Sequence, residues 1–568
     1  MSVEVSRHES LGSALREAWL TWKSQTALVE LDRRRTLRRL RYLDVRRQAL
    51  PVMAALARAG VGPGVRVAVL MPNQARWIVG AYAALHLGAT LVPLDYKLSA
   101  AEQQTLLRHS GAAVLLTEEP IARRLALDGL ALALVTDAPG APVGRPLPPP
   151  AVRWDELAPT DDEPPVAPRR RDDVAVIVYS SGTGGRIKGC MLTHDAYLEQ
   201  YAGLSRLYPM GPGDRFFSVL PTNHAIDFMC GFLGPALGGA TVIHQRTMRP
   251  ETLRATMQAE RPTHMAVVPL LLEAFERALD ERLRETPRWA RRALDALAAV
   301  NLALTERRPS HELSRRLLAP VHAAFGGALR HLFAGGAFVD RARAERFYRL
   351  GLPVSIGYGL TEACTVVTVN DLRPFRADSV GRPVPGVEVR IDAPGADGVG
   401  EVLVRGRTVM KGYLDDPELT AETLDADGWL HTGDLGRLDA SGHLQLRGRR
   451  KNVFVTPGGK NVYPEDVEGA FEGIDVEELV VLASNAVWPG ARLDEEFLFA
   501  VVRPKEGCDA QVREALRERN GRLPEHKRVR GLLWWSEAFP RTASLKVRRE
   551  ALAESIRARV GRDAVVRP

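Results

Sequence analysis

Between residues 65 and 117, short runs of β-branched and other apolar residues alternate with longer stretches of helical periodicity. Val65-Arg-Val-Ala-Val-Leu reads as a buried strand, 74–87 as a helix and Ala89-Thr-Leu-Val-Pro-Leu as a strand; 100–110 follows as a helix and Ala112-Ala-Val-Leu-Leu-Thr as a third strand. Continuous apolar runs separated by helices are what a parallel sheet covered on its faces requires, so the pattern predicts an α/β chain. The longest uncharged apolar stretch, 228–243, is shorter than a membrane span and is broken by Gly231, Gly234, Pro235, Gly238 and Gly239, which predicts a buried interior segment. Proline-rich 139–168 is expected to be an exposed irregular connection, and 272–322, rich in Ala, Leu, Arg and Glu, is expected to be helical. Near Arg449 a second unit begins that reads strand, helix, strand, helix and ends in a basic helix over 547–560. The predicted division is a large N-terminal domain, 1–448, and a small α+β domain, 449–568.

The chain's 568 residues exceed what one hydrophobic core supports, in agreement with two domains. The net charge is +8, and the densest basic run, Arg33 to Arg47, holds eight arginines. That run is read as a solvated face. Without aromatic interleaving or a recognition module it does not indicate nucleic-acid binding, and peripheral contact with a membrane surface is the most it suggests. The four cysteines, Cys190, Cys230, Cys364 and Cys508, are widely spaced and predict neither a zinc site nor a disulfide framework. With no signal-peptide core at the N-terminus, a cytoplasmic location is expected.

Candidate chemistry concentrates in five segments. In Tyr179-Ser-Ser-Gly-Thr-Gly-Gly-Arg-Ile-Lys-Gly189 an apolar strand enters a loop of small residues. Backbone N–H groups and hydroxyls of Ser180, Ser181, Gly182, Thr183 and Gly184 can face phosphate oxygens there, with Lys188 adding charge. Gly357-Tyr-Gly-Leu-Thr-Glu362 offers a flat ring and a hard oxygen ligand, and Trp429-Leu-His-Thr-Gly-Asp434 ends on a carboxylate able to accept two hydroxyls. Gly448-Arg-Arg-Lys-Asn452 and Phe539-Pro-Arg-Thr-Ala-Ser-Leu-Lys546 supply cations. Taken singly, each is equally an ordinary turn, a capped loop or an exposed lysine.

Together, in this order and spacing, they resemble the adenylate-forming superfamily, which includes acyl-CoA synthetases, beetle luciferases and the adenylation domains of peptide synthetases. The likeness runs from about Gly60 to Arg549. The family loop reads approximately Tyr-Thr-Ser-Gly-Thr-Thr-Gly-x-Pro-Lys-Gly, from which this chain departs at Gly184 and Ile187; Leu545 likewise replaces a usual glycine. The resemblance implies a large multi-sheet domain with a small mobile lid. It implies that ATP is held by the 180–188 loop, by Gly336, Ala337, Gly357, Tyr358 (stacked on adenine), Gly359 and Thr361 (at the α-phosphate), and by Asp434 (on the ribose) and Arg449. Mg²⁺ would be held by Glu362 and Thr183. Lys546 is the implied catalytic lysine, Lys451 the hinge, and the Gly458 loop the passage for coenzyme A. His224, in Leu220-Pro-Thr-Asn-His, lies by this likeness beside the acid, and Glu362, Thr183, His224 and Lys546 form the implied catalytic set. The implied reaction is ATP-dependent activation of a small-molecule carboxylic acid to its acyl-adenylate, then transfer to coenzyme A. Phe333-Ala-Gly-Gly-Ala337 resembles the family's strand and turn along the acyl pocket, and the 272–322 helices, leading into Phe325-Gly-Gly-Ala-Leu-Arg330, resemble fatty acyl-CoA synthetases and predict a medium- or long-chain fatty acid. An acyl carrier protein as acceptor and a non-catalytic nucleotide-binding relative are the alternatives.

Overall fold

The structure is a computed structural model that describes residues 3–33, 35–138, 146–180, 187–455, 461–489, 496–541 and 547–567. The chain gathers into two compact units. The first comprises 1–181, 187–388 and 404–430, and the second 389–403 and 431–568.

The first unit is built on two large sheets. One has seven strands in the order Ala151–Arg153, Leu132–Thr136, Val114–Glu118, Arg66–Leu70, Thr90–Pro93, Val174–Ser180, Lys188–Thr193. Its strands run parallel except the last, which pairs antiparallel with Val174–Ser180. The strands and helices read between 65 and 117 fall within a residue or two of their predicted limits. The proline-rich stretch departs from expectation, since Ala151–Arg153 adds an edge strand to this sheet.

The other sheet has nine strands, ordered Arg382–Pro383, Thr368–Val369, Val354–Tyr358, His331–Ala334, His264–Val267, Arg215–Ser218, Thr241–Gln245, Thr26–Asp32, Arg35–Arg41. Its six central strands are parallel and both edges antiparallel. Val29, Phe217, Ile243, Met265, Val267, Leu332 and Val354 carry its core against Leu253, Leu272, Leu279 and Phe347 from covering helices. From Arg35 onward the basic run occupies one edge strand and the start of the next helix. Arg39 pairs with Glu260 at 2.8 Å, Arg41 with Asp44 at 3.0 Å, and Arg46 with Glu163. Arginine on an exposed edge also discourages strand addition by another chain.

The 228–243 segment is buried as predicted. A helical turn, Ala225–Phe228, passes into a π-helical turn, Met229–Leu233, before the strand Thr241–Gln245. Phe228 and Phe232 meet Trp77 edge-on at 6.0 and 5.6 Å.

The second unit is built on a four-stranded sheet of Val387–Asp392, Gly400–Gly406, Leu430–Leu438 and Leu444–Arg449. A three-stranded sheet, Val476–Ala483, Leu498–Pro504 and Gly531–Trp534, is covered by helices Pro464–Phe471, Asp509–Arg522 and Arg549–Arg559.

Candidate functional site

The site residues of the first unit lie where its strands end. Ser180 closes the strand Val174–Ser180 and pairs in register with Lys188, so the two ends of the glycine-rich loop are fixed side by side. Ser181, Gly182, Thr183 and Gly184 lie outside the described residues, as does Lys546. The Lys188 ammonium stands 5.4 Å from the ring centre of Tyr413, a cation–π contact. Tyr413 reaches this position because its segment zips onto the Lys188–Thr193 strand: Met191 N–H donates to Gly412 O at 3.0 Å, Lys411 N–H to Met191 O at 2.8 Å, and Leu414 N–H to Gly189 O at 2.8 Å. The Tyr413 hydroxyl donates to Glu362 Oε1 at 2.9 Å. Burial, with Glu362 beside it, pushes that phenol well above its ordinary pKa, so it stays a donor. Lys188, Tyr413 and Glu362 thus form a chain of contacts. Met410-Lys-Gly-Tyr413 is an ordinary turn in sequence, and Tyr413 was not foreseen; a glycine before an aromatic residue was the only available signal.

Glu362 sits in a single 3-10 turn, Thr361–Ala363, after the strand Val354–Tyr358. A Cβ on Gly359 would lie 1.6 Å from Thr365 O, so only glycine lets the chain fold back there. A Cβ on Gly335 would lie 3.0 Å from Gly357 O, which places the Gly335-Gly336-Ala337 turn directly against the strand that ends in Tyr358. Gly336 has φ 83°, and Tyr358 is buried. The neighbouring Thr365 hydroxyl donates to Ala225 O at 3.0 Å and so ties this turn to the residue after His224.

His224 begins the helical turn Ala225–Phe228, and its Nε2 lies 4.0 Å from Asp95 Oδ2. Its loop is braced from inside. Asn73 Nδ2 donates to Ser218 Oγ at 3.0 Å and to Leu220 O at 2.7 Å, while its Oδ1 accepts from Thr222 N–H at 2.8 Å. The hydroxyls of Ser218 and Thr222 both donate to Asp227 Oδ2, at 2.7 and 2.9 Å. Asp227 is fully buried, and that burial pushes its carboxyl up to about 7. A Cβ on Gly231 would meet the Asp227 carboxylate at 2.5 Å, so the glycine in the π-helical turn makes room for it. Neither Asn73 nor Asp227 was identifiable as part of a site from sequence spacing.

In the second unit, Asp434 and Arg449 face each other across the antiparallel strands Leu430–Leu438 and Leu444–Arg449. Arg449 Nε lies 2.7 Å from Asp434 Oδ1. Glu401 fixes the turn before Asp434 by accepting from Gly433 N–H at 2.9 Å, and it also accepts from Arg450 at 2.8 Å. Lys451 Nζ donates to Glu550 at 2.7 Å. The Gly458 loop lies outside the described residues.

Mg²⁺ commonly takes one or two protein carboxylates and completes its octahedron with phosphate and water. Glu362, a carboxylate oriented by Tyr413, fits that demand. Among the described residues, no group of three or more His, Cys, Asp or Glu gathers into a cage that could hold a metal by itself.

Comparison with known proteins gives a family match, "AMP-binding enzyme", over residues 15–414. The chain is 32% identical over 517 residues to a feruloyl-CoA synthase of Amycolatopsis sp, covering 89% of this chain and 92% of that one. It is 31% identical over 564 residues to a 3-[(3aS,4S,7aS)-7a-methyl-1,5-dioxo-octahydro-1H-inden-4-yl]propanoyl:CoA ligase of Rhodococcus jostii, covering 95% and 98%. It is also 32% identical over 446 residues to a long-chain-fatty-acid–CoA ligase of Mycobacterium bovis, covering 75% and 72%. The fold matches a crystal structure of an anthranilate CoA ligase with a TM-score of 0.77 at 22% identity over 97% of both chains.

Proposed function

The chain belongs to the AMP-binding enzyme family, and from that premise we propose that it joins a carboxylic acid to coenzyme A at the expense of ATP, through an acyl-adenylate. The observation that carries this reading is the run of contacts from Lys188 through Tyr413 to Glu362, a cation and an oriented carboxylate at the two ends of one fixed contact chain.

In the first half-reaction an oxygen of the acid's carboxylate attacks the α-phosphorus of ATP, and pyrophosphate leaves. In the second the coenzyme A thiol attacks the acyl carbon, its proton is lost to solvent, and AMP leaves. Neither step asks the protein for covalent chemistry, so positioning and charge stabilisation supply the rate. Lys188 and Lys546 offset the phosphate and carboxylate charge. Tyr358 and Thr361 receive the adenine and the α-phosphate, Asp434 accepts the ribose hydroxyls, and Arg449 approaches the nucleotide. His224, braced through Thr222 and Asp227, orients the acid. Mg²⁺, when bound at Glu362, neutralises phosphate charge. Lys451 is the hinge about which the 449–568 lid turns between the half-reactions.

The acid is read as a medium- or long-chain fatty acid. The helices crossing from the His264–Val267 strand to the His331–Ala334 strand support this, as does the similarity to a long-chain ligase. A ring-bearing acid is the second reading, favoured by the similarity to the feruloyl and bicyclic propanoyl ligases. Pyrophosphate release is to be followed with straight-chain acids and with ferulate and cinnamate, each with and without coenzyme A. A fatty-acid site gives kcat/KM rising by up to about fourfold per added methylene until the pocket is filled. A flat series with a faster aryl acid selects the second reading. Adenylate formation without turnover of free coenzyme A points to a carrier protein as acceptor.

A further inference from the structure

The Arg288–Thr305 helix turns an apolar face to water. Its buried positions are Ala298, Asn301 and Thr305. Asn301 and Thr305 are satisfied within the protein: Asn301 Nδ2 donates to Arg349 O at 3.1 Å, Ser314 Oγ donates to Asn301 Oδ1 at 2.7 Å, and Thr305 Oγ1 donates to Asn301 O at 2.7 Å. Its outer face carries Trp289, Leu297, Val300 and Leu304, which are 74%, 38%, 48% and 63% exposed. Alanines 293, 296 and 303 fill the positions between them. Leu294 and Ala298 pack the same inner side onto the core, so the outward tryptophan and leucines form a second apolar face, which is the polarity expected of an element that meets an apolar phase.

The charge around this face identifies that phase. From 282 to 316 the chain holds nine arginines against four carboxylates, and within the helix Asp295 is the only acid. Arg284, Arg288 and Arg292 flank the Trp289 end and Arg307 and Arg308 the Leu304 end; all are exposed, and none is ion-paired among the described residues. A second copy of this chain fits poorly. A two-fold pairing of the helix with itself would set the arginines at its two ends against each other. An anionic bilayer satisfies both features, with the apolar side chains below the headgroups and guanidinium groups among the phosphates.

We propose that the Arg288–Thr305 helix is an interfacial docking element that seats this protein on anionic phospholipid membranes without spanning them. The eighteen-residue helix is not apolar enough to cross, and among the described residues no helix is. This proposal does not depend on the acid substrate or on the activity.

The test is flotation of the full-length protein with vesicles of phosphatidylcholine alone and of phosphatidylcholine mixed with phosphatidylglycerol. The protein floats with the anionic vesicles and not with the neutral ones. Binding weakens as salt rises from roughly 0.1 to 0.5 M, because the headgroup charge is screened. The double variant Trp289→Ser/Leu304→Ser, changed only at exposed positions, binds at least tenfold more weakly with unchanged melting temperature. Arg288→Gln and Arg307→Gln each lose about fivefold on anionic vesicles. Equal binding by wild type and the double variant overturns the proposal, as does no flotation with phosphatidylglycerol vesicles. A solution dimer that the double variant splits, without vesicle binding, overturns it in favour of a second copy.

Discussion

Arg449 Nε rests 2.7 Å from Asp434 Oδ1, across two antiparallel strands, and both residues are expected to meet the nucleotide. The Arg449 side chain is 43% exposed and that of Asp434 10%, so the pair contributes well under about 1 kcal/mol to stability. Its use is in orientation. Asp434→Ala should raise the KM for ATP roughly 10- to 150-fold, the value of one hydrogen bond to a charged group, and leave the melting temperature nearly unchanged. Steady-state kinetics at saturating acid, with thermal unfolding alongside, checks both. An unchanged KM for ATP removes Asp434 from the site.

Tyr413→Phe deletes the hydroxyl that donates to Glu362 and keeps the ring under Lys188. The expected loss in kcat is about 3- to 10-fold, one ordinary hydrogen bond, with a higher Mg²⁺ requirement and an unchanged KM for the acid. Titration of activity with Mg²⁺ in both proteins is the measurement. Identical curves would show that Tyr413 does not set the orientation of Glu362.

The pH dependence of stability has two opposed contributors. Burial raises Asp227 to about 7. The folded state therefore binds more protons than the unfolded one between about pH 4 and 7, and stability falls as pH rises through that window. Asp227→Asn keeps an acceptor for Ser218 and Thr222 and removes this cost. Its advantage over wild type should grow from pH 4 to 7, to on the order of 4 kcal/mol, and then level. Burial lowers His264 and His322 to about 4 and His331 to about 3. Their contribution is complete above pH 6.5 and is lost as pH falls through those values. His331→Phe, beside the ring of Phe333, should make the acid limb shallower. Melting temperatures from pH 4 to 8 separate the two effects; parallel curves for all three proteins would refute both.

The strands between 65 and 117 and the burial of 228–243 were legible in the sequence because continuous apolar runs have few other places to go. The Ala151–Arg153 strand was not, because a three-residue edge strand leaves almost no pattern beside its prolines. The glycines at 335, 336, 357 and 359 were legible as a motif, but only the backbone shows that Gly335 lies against Gly357 and that Gly359 admits no side chain. Tyr413 and Asn73 were invisible because each reaches its partners through pairings of segments distant in sequence, and Asp227 because its spacing to Ser218 and Thr222 matches no motif. The outward apolar face of Arg288–Thr305 was hidden for another reason: periodicity reveals two faces but not which one turns to water, and Asn301 and Thr305 turn inward.

Lys451→Pro tests the hinge. Proline fixes φ and restricts the residue before it, so a backbone that must change its angles there is held in one state. Adenylation should survive while coenzyme A transfer fails. Normal acyl-CoA formation in this variant would remove the hinge from Lys451.

Acid-dependent exchange of labelled pyrophosphate into ATP, without coenzyme A, tests adenylate formation most directly. Wild type should show exchange that requires the acid and Mg²⁺. Lys546→Ala should lose roughly a thousandfold of it, the cost of one preorganised charge contact, yet still convert supplied acyl-adenylate to acyl-CoA. Acyl-CoA formation with ADP and phosphate as products, and no exchange with any acid, would contradict the account.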